Sequence, residues 1–193
     1  MADAKQDLIF YLSRTRDSLV WKLEGLSDYD VRRPMTPTGT NLLGLVKHVA
    51  SIAVGYLGDT FGRPFDEPLP WFDEGAAPNA DMYAAADESR ADILALHERA
   101  WAHAFATIDA LDLDATGHVP WWPAERSEVT LHRVLVHMIA EAEHHAGHAD
   151  IVRELIDGAA GLRQDNSNLP EDSPQFWSDY VAQVEAAARA ATR

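Results

Sequence analysis

An all-α bundle of four or five amphipathic helices is the fold class predicted for this chain, and three observations carry the prediction. Apolar residues recur at three- and four-residue spacing over five segments. Proline- and glycine-rich connectors separate those segments. No stretch alternates apolar and polar residues long enough to read as a strand. The chain has 193 residues, 47% of them apolar, which suits one domain spanning 1–193 with a sizeable core.

The first helix is expected from about Ala4 to Glu24, with Leu8, Leu12, Leu19 and Leu23 on its apolar stripe. Pro34 and Pro37 preclude regular helix in the next ten residues. A second helix is expected over about Asn41–Phe61, carrying Leu42, Leu45, Val49, Ile52 and Tyr56 on one face. The next connector holds Gly62, Pro64, Pro68 and Pro70 together with Phe65, Trp71 and Phe72. Asn79 or Asp81 is the expected cap of a long third helix reaching about Asp109. Thr130 is the expected N-cap of the fourth, which stops at Gly158. Ser173 followed by Pro174 opens a last helix to about Ala191, serine at N-cap and proline at N1 being a favoured start.

Charge and composition exclude several function classes. Thirty-one acidic against 16 basic residues give a net charge of −15. That balance disfavours nucleic acid and anionic membranes, both of which need lysine and arginine in excess. There is no cysteine, so disulfides, iron–sulfur clusters, thiolate zinc sites and a cysteine nucleophile are excluded. Residues Met1 to Asp7 are polar and acidic, unlike a signal peptide. Apolar stretches are broken by Lys, Asp or His before the ~20 residues a membrane span needs. A cytoplasmic protein is therefore expected.

Nine histidines remain as nitrogen ligands, and five of them, His132, His137, His144, His145 and His148, fall on the fourth helix. At ~100° per residue from His137, Glu141 lies near ~40°, His145 near ~80° and His148 near ~20°. The apolar stripe of Val134, Met138, Ala142 and Val152 centres at roughly 60–140° on the same wheel. Glu141 and His145 therefore face the bundle interior, with Glu143 toward solvent. Four residues apart on one face, they can grip one ion. A third ligand must come from another helix, and His48, the sole histidine of the second helix, is the best placed. A lone histidine beside an apolar stripe is more often a hydrogen-bonded core residue than a ligand. A carboxylate on an apolar face is harder to explain without a partner. His97, His103, His118 and His132 are expected to be solvated, and Arg153 to pair with a neighbouring acid. Trp71, Phe72, Trp121 and Trp122 either wall a cavity mouth or pack connectors onto the bundle ends.

The segment from Thr130 to Gly158, with its VHMIAEAEHHAGHADIV core, resembles the signature helix of the DinB-like superfamily. Together with Thr40–His48 (TNLLGLVKH) it is similar to the actinobacterial branch of mycothiol-dependent S-transferases, over about residues 5–160. The resemblance implies an antiparallel four-helix bundle of DinB/YfiT type, here with an additional C-terminal helix, often as a homodimer. It also implies a divalent metal held at positions matching His48, Glu141 and His145. Glu141 departs from the superfamily's three-histidine pattern and resembles the His-Glu-His set of mycothiol-dependent maleylpyruvate isomerase. Zinc is the expected ion; nickel, iron or manganese also suits the donors. The implied partners are a low-molecular-weight thiol, held as thiolate at the metal, and a small electrophile. His137, His144 and His148 are candidates for proton transfer or ligand support. Competing readings are a metal-dependent hydrolase and a non-catalytic stress-response module that binds a metal or other ligand.

Overall fold

A computed structural model describes residues 3–170 and 173–191. The chain divides into two compact units, Met1–Ala160 and Gly161–Arg193. The first unit is built from α1 (Ala4–Trp21), a short α2 (Asp28–Arg32), α3 (Leu42–Leu57), α4 (Arg90–Ala110), a short α5 (Ala124–Ser127) and the long α6 (Leu131–Asp157). Two three-residue strands, β1 (Thr116–His118) and β2 (Glu128–Thr130), pair antiparallel between α4 and α6, with Gly117 opposite Val129. The second unit contains α7 (Pro174–Ala191), along which Phe176, Trp177 and Tyr180 cluster ring to ring.

The four long helices of the first unit form the bundle: α3 packs against α4 and α6, and α6 against α1. Their directions follow from the residue pairs between them. Thr15 meets Glu143 and Lys22 meets Asp150, so α1 and α6 run the same way. His48 faces His145 while Tyr56 faces His137, so α3 opposes α6. Lys47 pairs with Glu88 just before α4, Ala50 and Val54 pack on Ala100, and Gly58 lies beside His103, so α3 and α4 are parallel. Two parallel pairs thus oppose each other. This arrangement requires the long connector 58–89 to carry the chain back along the length of α3. Leu12, Leu19, Val49, Leu57, Trp101, Leu135 and Met138 are among the side chains of the continuous core.

Helix ends are fixed by named caps. The Asn41 side chain accepts from Gly44 N, Thr130 from Arg133 N, and Gly158 closes α6 at φ 79°. Ser173 Oγ accepts from Phe176 N at the start of α7. Several expectations are corrected. The third long helix starts at Arg90, not near Asn79 or Asp81, because Ser89 and Asp92 form a reciprocal capping box. Helix α3 ends at Leu57 and continues only as a 3-10 turn over Asp59–Phe61, and α1 stops at Trp21. The β1–β2 ribbon is unexpected, its strands being too short to show alternation. His97 is not solvated but buried on the α4 stripe of Ile93, Leu96, Ala100 and Trp101.

Arg153 does pair with an acid, Asp157, at 2.7 and 2.9 Å. It also donates to the Lys22 and Glu24 carbonyl oxygens, satisfying the open C-terminus of α1. The segment Leu42–Phe61 is long and apolar enough to cross a membrane by composition, yet most of it is buried inside the structure.

Candidate metal and substrate site

Helices α3 and α6 cross with their histidines in contact. The His48 and His145 rings lie 4.7 Å apart in an edge-to-face arrangement. His48 Nδ1 lies 2.6 Å from Asp81 Oδ2. Since a carboxylate offers only acceptors, Nδ1 carries the proton and the Nε2 lone pair is left to bind. Asp81 comes from the connector, and its chain is anchored to the start of α3. Asn41 Nδ2 donates to the Met82 carbonyl, and Gly44 lets that carbonyl approach where a Cβ would fall 1.8 Å from its oxygen.

Glu141 stands between two imidazoles on its own helix face. Its Oε2 is 3.9 Å from His145 Nε2 and its Oε1 is 3.8 Å from His137 Nε2. Both distances are too long for hydrogen bonds and lie just inside twice a zinc–ligand bond of about 2.0–2.2 Å. The Glu141 side chain is 37% exposed, so desolvation does not force it into a pairing, contrary to the expectation from the helical wheel. Glu143 faces outward as expected and accepts from Thr15 Oγ1. Burial, then the neighbouring His48, His148 and His144, hold His145 down at about 4, against the opposing pull of Asp81. Burial, reinforced by Arg133 and opposed by Glu141, likewise lowers His137. His145 is therefore neutral at pH 7, the protonation state that binds metals. His145 Nδ1 and His137 Nε2 are buried without a hydrogen-bond partner.

The residues suit a divalent cation in their chemistry. Two imidazoles and a carboxylate are adjacent, one imidazole is oriented by a supporting carboxylate, and orphaned ring nitrogens remain. The donor set fits. The closed ligand arrangement is not formed: among the described residues no three His, Asp or Glu side chains converge as a metal-holding group. His144 and His148 lie on the exposed side of α6, their rings 4.3 Å apart and 5.6 and 5.7 Å from that of His145.

A cavity of about 510 Å³ opens beside His48, lined also by Ser51, Tyr56, Asp59, Asp81 and Trp121. Phe72 contributes to the same wall, whereas Trp71 packs on α3 and donates to Ser51 Oγ. The two tryptophans before α5 share one acceptor, since both Trp121 Nε1 and Trp122 Nε1 donate to Tyr56 Oη. Trp122 then stands edge-on to His137, at 5.0 Å between ring centres. A second cavity of about 530 Å³ lies on that side, lined by Trp122, Arg126, Arg133 and His137. A third, of about 500 Å³, surrounds His97 and Trp101 and shares no residue with the histidine cluster.

His48, Glu141 and His145 are legible in the sequence. Asp81 reads there only as a cap, because its contact with His48 spans 33 residues across an irregular connector. Tyr56 reads as a core residue, and nothing local marks its hydroxyl as the anchor of two indoles.

The comparison with protein families matches the chain over residues 7–158 to the family described as Mycothiol-S-transferase. The match covers the bundle except the first residues of α1, includes every residue of the cluster and ends before α7. No curated protein matches the chain significantly. On the extent of the family match, the chain belongs to the mycothiol-S-transferase family.

Proposed function

We propose that this protein is a divalent-metal-dependent thiol S-transferase that joins a low-molecular-weight thiol of the mycothiol kind to a small electrophile. The observation that carries the reading is the apposition of His48, oriented by Asp81, with His145 and Glu141 at the edge of a substrate-sized cavity. His48, Glu141 and His145 would hold the cation, and zinc suits two imidazoles and a carboxylate. When bound, it supplies a positive charge that lowers the pKa of a thiol and presents it as thiolate at neutral pH. With no cysteine in the chain, the sulfur comes from the cosubstrate.

The chain's own residues do the rest. Asp81 fixes the tautomer and ring plane of His48. Burial keeps His145 uncharged, so its lone pair is available. His137, also held neutral by burial, places its unpartnered Nε2 beside Glu141 to take up the thiol proton. His144 and His148, exposed beside His145 about two and three turns further along α6, are the groups of the cluster placed to exchange protons with solvent. Tyr56 holds Trp121 and Trp122 as a wall that shields the reacting sulfur from water.

The experiment is a metal analysis of the purified protein, followed by conjugation assays with chlorodinitrobenzene and either mycothiol or glutathione. Metal-dependent conjugation with mycothiol is expected. No conjugation with either thiol at full metal occupancy would overturn the reading and leave a non-catalytic binding module.

A further inference from the structure

The two cavities that flank the histidine cluster differ in charge. The one beside His48 contains Asp59 and Asp81 and no lysine or arginine. The one beside His137 contains Arg126 and Arg133 and no acid. In a chain of net charge −15, a purely basic cavity is against the overall trend. Both guanidinium groups also lack an ion pair or hydrogen bond among the described residues, whereas Arg16, Arg33, Arg99 and Arg153 each have a carboxylate partner. Arg133 instead lies over the Trp122 ring, 5.3 Å from its centre, which spreads the guanidinium along the cavity wall.

Trp121 and Trp122, adjacent in sequence and hydrogen-bonded to one hydroxyl, line different cavities. A reaction that joins two molecules needs two places, and the charges allocate them. An anion entering the Asp59/Asp81 cavity meets like charge, while one entering the Arg126/Arg133 cavity meets two free guanidinium groups and an indole face.

We propose that the cavity of Trp122, Arg126, Arg133 and His137 binds the electrophilic cosubstrate, and that this cosubstrate is a planar, carboxylate-bearing compound. The carboxylate sits between Arg126 and Arg133, the planar body lies along Trp122, and the end away from the carboxylate points past His137 toward Glu141. The proposal rests on the transferase reading for the word cosubstrate, and on the cavity alone for the class of ligand.

The test therefore reads binding separately from turnover. The native protein is titrated with 3,5-dinitrobenzoate, which has no leaving group, and with neutral 1,3-dinitrobenzene, following tryptophan quenching. The anion is expected to bind the native protein about tenfold more tightly than the neutral ring, an advantage that salt weakens. Arg126→Gln with Arg133→Gln should remove that advantage, so that the anion and 1,3-dinitrobenzene bind the double variant about equally. In conjugation assays, 4-chloro-3,5-dinitrobenzoate should show the lower KM than chlorodinitrobenzene, and only in the native protein. Loss of anion affinity in the double variant supports the site even if no thiol is conjugated, in which case the transferase reading alone fails. Equal affinity for anion and neutral ring in the native protein, or unchanged anion affinity in the double variant, overturns the site even if conjugation proceeds.

Discussion

Replacing Asp81 by asparagine isolates the contribution of one supporting carboxylate to the cluster. Asp81 Oδ2 lies 2.6 Å from His48 Nδ1, and the two side chains are only 15% and 18% exposed. Water therefore screens the contact weakly, and the carboxylate fixes the tautomer and the ring plane that present Nε2. Asparagine keeps the shape and an acceptor oxygen but loses the charge, and it can turn its amide toward Nδ1 and favour the wrong tautomer. Loss of such a supporting group costs about 10–100-fold in metal affinity, or about 1.4–2.7 kcal/mol. The low exposure points to the upper half of that range. Zinc affinity measured at pH 7 by competition with a chromogenic chelator gives the number, with far-ultraviolet circular dichroism as the control for folding. Equal zinc affinity in Asp81→Asn and native protein would refute the orienting role of Asp81, and with it the assignment of His48 Nε2 as the binding atom.

Three further outcomes are expected. Burial holds His97 down at about 4, while in the unfolded chain it titrates near its ordinary value of about 6.5. Its stabilisation is thus fully present above pH 6.5 and declines as pH falls toward 4, by about 3 kcal/mol in total; urea unfolding at pH 7 and pH 4.5 should show a smaller decline in His97→Leu than in the native chain. Gly44→Ala puts a methyl group 1.8 Å from the Met82 carbonyl oxygen and should cost about 1–3 kcal/mol by thermal unfolding. Because Met82 adjoins Asp81, the same variant should also bind zinc less tightly. Tyr56→Phe deprives Trp121 and Trp122 of their common acceptor, which should cost about 1–3 kcal/mol and red-shift tryptophan emission; an unshifted spectrum would contradict the shared hydrogen bond.

Local chemistry is what the sequence makes readable. The ends of α6 follow from Thr130 and Gly158, and the start of α7 from Ser173 and Pro174. The inward face of His145 follows from helix phase alone. His97 is equally legible, since it falls four residues from Ile93 and Trp101 on the buried stripe; weighting residue type over phase misplaces it. The capping box at Ser89 and Asp92 is present as a sequence pattern, but Asn79 and Asp81 stand first in the chain and draw the expected boundary forward. Contacts between distant segments are not legible. Asp81 reaches His48 only because the connector returns alongside α3, and the free arginines at 126 and 133 acquire meaning only when Trp122 and His137 are seen beside them. The wheel also overstates the burial of Glu141, because it cannot show how far the neighbouring helices extend.

Whether His48, Glu141 and His145 hold one divalent cation for thiol chemistry is tested most directly by zinc content per chain. Elemental analysis would be made on the native protein and on His48→Ala, both after growth in zinc-supplemented medium. About one zinc per native chain and none in His48→Ala, with the helical dichroism signal unchanged, is the predicted result. Stoichiometric zinc in His48→Ala, or none in the native protein, would contradict it.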